Sequence, residues 1–339
     1  MAMLYIRTDM NRQIASGHLM RCLTIAKELK KRGEDVTFLL ADEEAYAFVS
    51  EQGFPCHVLG TNWSDCESEL KVLKPYLREV GAEILLVDSY FVTPNYFREL
   101  KSFVKTAYID DLNRSKYDLD LLICYAPYYR KFRLEEQYPA STRLLLGPSF
   151  FPLRESFLHL GEKRISRQVE KVLLLSGGTD GGVLEYFTDI LLAQGIHSLD
   201  IVCGILSDSY AVLCDKYASV PGVRVFRAKK EIAHLMSTAD LAITAGGTTL
   251  YELCACGTPS ISYVFADNQR DNVRAFEEMG LIPCAGDIRI DNIAERTKDI
   301  LLNFGYEQRK ERSVRMRSLF DGRGAARIAD ELLHFAEHS

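Results

Sequence analysis

The sequence predicts an α/β protein with two domains, each built on a parallel sheet covered by helices. Short, almost wholly apolar segments alternate with segments in which apolar residues recur at helical spacing, and this alternation occurs twice along the chain. A polar, basic stretch from Gly161 to Val169 separates the two series. Because 339 residues exceed the usual size of one core, we expect domains at 1–160 and 161–339, with the last helix free to pack back on the first domain.

The first series contains seven apolar segments that are candidates for buried strands. They are Met3–Ile6, Val36–Ala41, Cys56–Leu59, Ile84–Val87, Thr106–Ile109, Leu121–Cys124 and Leu144–Leu146. The helical pattern between them is clearest where Leu19, Leu23, Ala26 and Leu29 share one face. This order favours Rossmann-like domains, which bind ligands beyond the carboxyl ends of their strands, so we expect the site in the cleft between the domains.

The second series contains five further strand candidates, followed by two amphipathic segments at 290–304 and 325–335. The strand candidates are Val172–Leu175, Asp200–Cys203, Val223–Phe226, Leu241–Thr244 and Ser260–Val264. From 241 to 265 the only charged residue is Glu252, and this span is long enough to cross a bilayer. Gly246-Gly247, Gly257 and Pro259 interrupt it, however, so we interpret it as a strand, a short helix and a strand inside a domain.

Composition excludes several classes of function. A net charge of −6 offers no general attraction to nucleic acid or to an anionic membrane. Nine cysteines are too few for a disulfide scaffold, and Cys254-x-Cys256 lacks the spacing and the second pair of ligands of a zinc site. The N-terminus lacks the pattern of a signal peptide. We therefore expect a cytoplasmic protein that needs no cofactor or metal and does not insert into a membrane.

Three junctions between a strand, a loop and a helix are candidates for anion binding. They contain Gly17-His18, Gly177-Gly178-Thr179-Asp180 and Gly246-Gly247-Thr248-Thr249. Glycines let the backbone approach a ligand, and the unpaired amides of a helix N-terminus attract phosphate. A single glycine pair is better explained as a tight turn, but three such junctions favour anion binding. Neither the dinucleotide fingerprint nor the Walker pattern is present, so NAD and ATP are poorly supported.

Other polar residues have two possible interpretations each. Among the histidines, only His18 lies in such a loop, so it is the candidate catalytic base, although a helix-start histidine is often a simple cap. Glu252 either accepts hydrogen bonds from a ribose diol or pairs with a basic side chain. The segment Asp267-Asn268-Gln269 is either a helix cap or a contact for sugar or phosphate, and Asp88-Ser89-Tyr90 has an equivalent position in the first domain. The pair Asp110-Asp111 resembles metal ligands only superficially.

Taken together, an ordered series of motifs resembles one known family. The motifs are Arg7-Thr8-Asp9, Gly17-His18-x-x-Arg21-Cys22-Leu23, Asp88-Ser89-Tyr90, Leu153-Arg154-Glu155-Ser156-Phe157, Gly177-Gly178-Thr179-Asp180, Ala245-Gly246-Gly247-Thr248-Thr249-Leu250-Tyr251-Glu252-Leu253 and Asp267-Asn268-Gln269. The family is the nucleotide-sugar hydrolase of pseudaminic acid biosynthesis, with its spore-coat polysaccharide relatives. The resemblance extends from Arg7 to about Gly280.

The resemblance implies the two-domain glycosyltransferase-B fold and hydrolysis of UDP-2,4-diacetamido-2,4,6-trideoxy-β-L-altropyranose to UDP and free sugar. It implies that His18 activates water and that Tyr90 holds this base or the sugar. The remaining residues that it implies in binding the UDP-sugar are Arg7, Asp9, Gly17, Arg21, Arg154, Gly178, Thr179, Gly246, Gly247, Thr248, Thr249, Glu252, Asn268 and Gln269. Within this set, Gly246 to Glu252 would hold UDP, Gly178 and Thr179 would lie near the diphosphate, and Asn268 and Gln269 would face the sugar or diphosphate.

This chain departs from the family pattern at two places. Ala15 stands where the family usually has glycine, and Cys124, Tyr125 and Ala126 stand where it often has asparagine. Because the latter positions are expected to touch the sugar, the sugar's identity stays open. The alternatives to hydrolysis are transfer of the sugar to an acceptor by a glycosyltransferase of the same fold and binding of a nucleotide-sugar without catalysis. A 2-epimerase fits less well because it lacks the Gly17-His18 loop.

Overall fold

The computed structural model describes residues 3–14, 16–158, 160–176, 182–204, 207–227 and 232–337. The chain divides into two compact units. The first comprises the residues up to Arg154 together with those from Gly322 onward, and the second comprises Glu155–Asp321. This division falls a few residues before the boundary expected from the sequence.

In the described part of the chain, the first unit is built on a sheet of seven parallel strands. The strands are β1 (Leu4–Thr8), β2 (Val36–Leu40), β3 (Cys56–Val58), β4 (Ile84–Asp88), β5 (Lys105–Ile109), β6 (Leu121–Cys124) and β7 (Arg143–Leu146). Their order in the sheet is β3-β2-β1-β4-β5-β6-β7. Every residue of β1 and β4 is buried, which explains why these segments are almost continuously apolar.

Helices connect the strands of the first unit. They are α1 (Gly17–Lys31), α2 (Tyr46–Glu51), α3 (Cys66–Glu79), α4 (Pro94–Leu100) and α5 (Leu134–Gln137). Local sequence explains where two of them begin. At the start of α3, the Asp65 carboxylate accepts a hydrogen bond from the Ser68 amide. The hydroxyl of Thr93, the residue just before α4, accepts one from the Tyr96 amide.

The second unit repeats the architecture, with six parallel strands among its described residues. The strands are β8 (Lys171–Leu175), β9 (Ser198–Cys203), β10 (Val223–Arg227), β11 (Leu241–Ala245), β12 (Ser260–Val264) and β13 (Cys284–Asp287), in the order β10-β9-β8-β11-β12-β13. The helices are α6 (Val183–Ala193), α7 (Tyr210–Tyr217), α8 (Ile232–Thr238), α9 (Thr249–Cys256), α10 (Arg270–Glu278), α11 (Ile293–Asn303) and α12 (Tyr306–Leu319).

Two features of the second unit bear on the sequence analysis. The apolar span at 241–265 forms β11, α9 and β12, as predicted, and α9 ends at Gly257 in the left-handed backbone conformation (φ 67°). Strand β13 was not predicted, because Cys284–Asp287 is short and contains a glycine and an aspartate. None of the helices in the described ranges combines the length and apolar character needed to cross a membrane.

The last helix, α13 (Gly324–Glu337), belongs to the first unit and packs against α1. Its buried side chains include Ala325, Ile328, Ala329 and Leu332. At its start, a Cβ atom on Gly324 would lie 2.1 Å from the carbonyl oxygen of Phe151, so only glycine fits there. The helix therefore completes the cover of the first sheet, although more than 150 residues separate it from the rest of that unit.

Candidate active site

The carboxyl ends of β1 and β4 lie side by side, and they bring two parts of the first unit together. Thr8 of β1 pairs in register with Asp88, the last residue of β4. Helix α1 starts shortly after β1, so its first turn carries His18 to the same edge of the sheet. Both His18 and Asp88 are buried, with exposed fractions of 6% and 1%.

The imidazole of His18 is oriented by Asp88. Its Nδ1 lies 2.6 Å from Oδ1 of Asp88, and an ionised carboxylate only accepts, so Nδ1 carries the proton and donates. No described residue forms a hydrogen bond with Nε2, the other ring nitrogen. In this tautomer Nε2 has a lone pair available to accept a proton, as a general base requires.

Arg21 keeps the Asp88 carboxylate ionised. Its guanidinium donates from Nε to Oδ2 and from Nη2 to Oδ1, both at 2.5 Å, in a bidentate pair. Burial by itself would raise the pKa of the Asp88 carboxyl, but the neighbouring Arg21 and His18 outweigh it and hold the pKa well below its usual range. Because Arg21 lies one helical turn after His18, α1 presents both side chains to the same carboxylate.

A second group of polar side chains surrounds the outer part of Arg21. Its Nη1 donates to the Tyr125 hydroxyl and lies 3.4 Å from Oδ2 of Asp111. The Tyr90 hydroxyl donates to the same Asp111 oxygen at 3.3 Å, and the Tyr90 ring meets the His18 ring edge to face, with centroids 4.5 Å apart. Burial, followed by the nearby Asp111 charge, raises the pKa of Tyr90, so its phenol stays protonated at neutral pH. Tyr90 therefore contacts the predicted base directly.

Arg7 and Asp9 belong to a separate network of buried charges. The Arg7 guanidinium is fully buried and is shared between Asp9 and Glu69, while Oδ1 of Asp9 accepts the Ala41 amide at 2.8 Å. Their charges are therefore already neutralised within the protein. We revise their expected role from substrate binding to support of the loop that follows β1, because groups sealed in such a network have no surface to offer a ligand.

Two other predicted residues of the first unit have less defined surroundings. Gly17 is the first residue of α1, and a Cβ atom there would meet nothing within 4 Å among the described residues. Arg154, half-buried, is the last residue of the first unit before the chain enters the second. Ala15, Gly178 and Thr179 lie outside the described residues.

In the second unit, the predicted Gly246–Thr249 loop joins the end of β11 to the start of α9. The Gly246 amide donates to the Tyr263 carbonyl at 3.0 Å, and a Cβ atom on Gly246 would lie 2.1 Å from Cγ2 of Val273. In contrast, a Cβ atom on Gly247 would meet no described atom within 4 Å. Gly246 is therefore required for packing, and Gly247 faces open space.

Asn272 of α10 determines how this loop is turned. Its Nδ2 donates to the carbonyl of Gly246 at 2.8 Å and lies 3.4 Å from that of Gly247, and its Oδ1 accepts a hydrogen bond from the Tyr251 hydroxyl at 3.0 Å. With these carbonyls directed at Asn272, the loop enters α9 with the helix's first amides at the carboxyl edge of the sheet. That arrangement is suited to an anion.

The other predicted residues of the second unit surround the same loop or the end of β12. Glu252, in the first turn of α9, is partly exposed. Oε1 of Gln269 accepts a hydrogen bond from the Phe265 amide at 3.0 Å, and the Gln269 Cβ lies 3.2 Å from the position that a Cβ atom on Gly246 would occupy. Asn268 is exposed. Asp267, by contrast, pairs with Arg270 and Arg289.

The structure gives four residues roles in these sites that the sequence does not predict. The sequence places Asp88 at a strand end but does not identify it as the partner of His18, and Asp111 resembles a metal ligand only superficially. The sequence predicts that Tyr125 touches the sugar, but its hydroxyl accepts a hydrogen bond from Arg21 and its side chain is buried. Asn272 carried no signal beyond its place three residues after Gln269. Among the described residues, no group of three or more His, Cys, Asp or Glu side chains could hold a metal ion.

Comparisons with known proteins agree with this architecture. Residues 191–322 match the glycosyltransferase family 28 C-terminal domain. MurG of Acinetobacter baumannii superposes with a TM-score of 0.72 over 98% of this chain and 99% of its own, at 13% identity. CalG4, the calicheamicin glycosyltransferase, does so with a TM-score of 0.68 over 98% of both chains, at 16% identity.

Three curated proteins are similar in sequence. An uncharacterized protein of Methanocaldococcus jannaschii is 22% identical over 78% of this chain and 56% of its own length. The Helicobacter pylori protein named pseudaminic acid cytidylyltransferase and UDP-2,4-diacetamido-2,4,6-trideoxy-beta-L-altropyranose hydrolase is 26% identical over 62% of this chain and 39% of its own length. The spore coat polysaccharide biosynthesis protein SpsG of Bacillus subtilis is 22% identical over 78% of both.

The chain thus spans only about half the length of the first of these relatives and less of the second. The full-length structural matches nevertheless establish the predicted fold class. The protein has the glycosyltransferase-B type of fold, with two α/β units that each contain a parallel sheet.

Proposed function

We propose that the protein is a hydrolase that cleaves UDP-2,4-diacetamido-2,4,6-trideoxy-β-L-altropyranose to UDP and free sugar in nonulosonic (pseudaminic) acid biosynthesis. The observation that carries the proposal is the hydrogen bond from Nδ1 of His18 to Asp88, which leaves Nε2 as a proton acceptor at a strand's carboxyl end. The name of the Helicobacter pylori relative supports the choice of substrate.

In the proposed reaction, water attacks the anomeric carbon of the sugar and gives a proton to Nε2 of His18. The bond between that carbon and the oxygen of the β-phosphate breaks, and UDP leaves with the electron pair. Asp88 stabilises the imidazolium that forms, because its carboxylate already accepts the Nδ1 proton. Tyr90 packs edge to face on the ring and limits its rotation.

The charge that develops on the departing diphosphate is stabilised in this proposal by the start of α9. Amides at a helix N-terminus are oriented before the reaction begins, so they need no reorganisation as the charge appears. Glu252 accepts hydrogen bonds from the ribose hydroxyls, and Asn268 and Gln269 contact the sugar or diphosphate. Gly178 and Thr179 are proposed to lie near the diphosphate, as the family resemblance implies.

Glycosyl transfer to an acceptor is the second candidate function. The family 28 match and the glycosyltransferases of similar structure favour it. A base at Nε2 of His18 serves an acceptor hydroxyl as well as it serves water, so the site chemistry is shared. The two reactions differ in whether turnover requires an acceptor.

The experiment that separates them measures release of UDP from a panel of UDP-sugars by mass spectrometry, without acceptor. A hydrolase releases UDP and free sugar in equal amounts, and the diacetamido-trideoxy sugar should react fastest. Turnover that appears only after a sugar acceptor is added would replace hydrolysis with transfer. Tight binding of UDP with no turnover of any sugar would contradict both.

His18→Ala tests the proposed base. One general base contributes roughly 10²–10⁴-fold to a rate, so kcat should fall by about that factor while UDP binding by calorimetry stays unchanged. His234→Ala is the matched control, because His234 lies on α8 with an exposed side chain. A folded His18→Ala protein that turns over at the wild-type rate would exclude this mechanism.

A further inference from the structure

Two half-buried aromatic side chains lie in loops at the carboxyl edge of the first sheet. Trp63 is in the loop after β3, and Phe91 directly follows Tyr90 in the loop after β4. Their rings are nearly perpendicular, at 85°, with centroids 5.1 Å apart. The ring of Tyr90, the residue before Phe91, contacts the His18 ring, with centroids 4.5 Å apart.

The Trp63 loop is held in place by contacts to the loop after β4. Immediately after it, the Cys66 thiol lies 3.6 Å from the Ser89 hydroxyl, and Glu67 accepts hydrogen bonds from Thr93 and Asn95. Within the loop, the Thr61 amide donates to the Ala41 carbonyl at 2.9 Å. The position of Trp63 is therefore fixed relative to Tyr90 by several independent contacts.

We infer that Trp63 and Phe91 form an aromatic platform that binds the face of a sugar ring beside His18. A pyranose presents C–H groups on its faces, and removal of these groups from water against an aromatic ring is favourable. Phe91 packs partly against the core of the first unit, but both rings stay partly exposed at the edge where ligands bind in parallel α/β sheets. The inference rests on the proposed function for the source of the sugar, the glycosyl group of the nucleotide-sugar.

The platform predicts discrimination between UDP and a UDP-sugar. UDP lacks the pyranose ring, so Trp63 and Phe91 should contribute to binding of the sugar and leave UDP affinity unchanged. Arg114 lies over the Tyr90 ring, with its guanidinium carbon 5.7 Å from the ring centroid, and adds a polar group that can meet the sugar's hydroxyl or acetamido groups.

Because Trp63 is the only tryptophan of the chain, its fluorescence reports on this platform directly. The test titrates the His18→Ala protein, which holds substrate uncleaved, with UDP, with UDP-2,4-diacetamido-2,4,6-trideoxy-β-L-altropyranose and with free N-acetylglucosamine. We expect a saturable change of intensity or emission maximum with the UDP-sugar and none with UDP. A fluorescence change on addition of free N-acetylglucosamine, without UDP-sugar, would show that the same platform also binds a sugar from a separate molecule, such as an acceptor. Equal changes with UDP and the UDP-sugar would overturn the inference.

Steady-state kinetics on the otherwise wild-type protein give a second test. Trp63→Ala and Phe91→Ala should each raise KM for the UDP-sugar about tenfold, the scale of one good aromatic contact, with inhibition by UDP unchanged. Trp63→Phe should restore most of the affinity, which a loss of fold would not allow. Tyr46→Ala is the matched control, because Tyr46 is exposed on α2.

Failure of the platform and failure of the proposed function are distinguishable. UDP release that continues with unchanged KM in Trp63→Ala would overturn the platform and leave the hydrolase intact. A sugar-dependent fluorescence change in a wild-type protein that releases no UDP would support the platform and overturn the hydrolase.

Discussion

The two nitrogens of the His18 ring have different surroundings, and Asp88 is responsible for the difference. Its carboxylate fixes the proton on Nδ1, while Arg21 supplies two hydrogen bonds that keep the carboxylate charged. The same Arg21 is held by Tyr125 and Asp111 on its outer side. The single predicted base is therefore one member of a buried network whose other members determine its tautomer and orientation.

Asp88→Asn should lower kcat by roughly 10²–10⁴-fold, because a neutral amide does not carry the charge that stabilises the imidazolium. The amide can also donate a hydrogen bond to Nδ1 of His18, and the ring proton then moves to Nε2. KM should change little, and circular dichroism should report an unchanged fold. Asp118→Asn is the control, since Asp118 pairs with Lys101 at the surface of the same unit. Full activity of Asp88→Asn would mean that Asp88 has no part in orienting the base.

Among the elements, the loop between β11 and α9 shows how one strand-to-helix junction combines two requirements. Gly246 is packed against Val273 and Gln269, and Asn272 holds the carbonyls of Gly246 and Gly247. Adjacent glycines in the sequence thus serve different purposes. The pattern Gly-Gly-Thr-Thr predicts a helix start that suits phosphate. The local sequence does not contain the neighbours from α10 that distinguish Gly246, which packs against Val273, from Gly247, where a Cβ atom would meet no described atom.

The two glycines therefore provide a matched pair of variants. Gly246→Ala places a methyl group 2.1 Å from Cγ2 of Val273 and should destabilise the protein by about 1–3 kcal/mol in thermal unfolding. Gly247→Ala meets no described atom within 4 Å and should leave the melting temperature unchanged, while UDP binding weakens about tenfold by calorimetry. Wild-type UDP affinity in Gly247→Ala would argue against diphosphate binding at this loop.

At the scale of the whole molecule, the chain returns to the first unit after completing the second. Helix α13 packs on α1, and the Arg32–Asp330 and Arg143–Glu331 ion pairs lie at its surface. Exposed ion pairs contribute little to the free energy of unfolding, so the buried apolar side chains of α13 supply most of the stabilisation that this helix receives. The first unit is therefore complete only after α13 has been synthesised.

Ile328→Ala should test this dependence, because Ile328 is fully buried in α13. Truncation of such a side chain to alanine lowers the free energy of unfolding by roughly 2–5 kcal/mol. Because Trp63 lies in the same unit, its fluorescence can follow unfolding in urea, and the midpoint should shift to a lower urea concentration. Val72→Ala, at a half-exposed position on α3, should change stability by less than about 0.5 kcal/mol. An unshifted transition in Ile328→Ala would mean that the first unit folds without α13.

The sequence by itself determined the two series of strands and helices and the loop that carries His18, because hydrophobic periodicity and glycine-bearing turns depend on residues close together in the chain. Only the tertiary structure decided which side chains meet. His18 and Asp88 are 70 positions apart, and Gly246 and Asn272 are 26 apart. Their contacts depend on strand order and on the direction in which packing turns each side chain. For the same reason, Arg7 became part of a buried ion-pair network, although a local motif suggested a ligand contact.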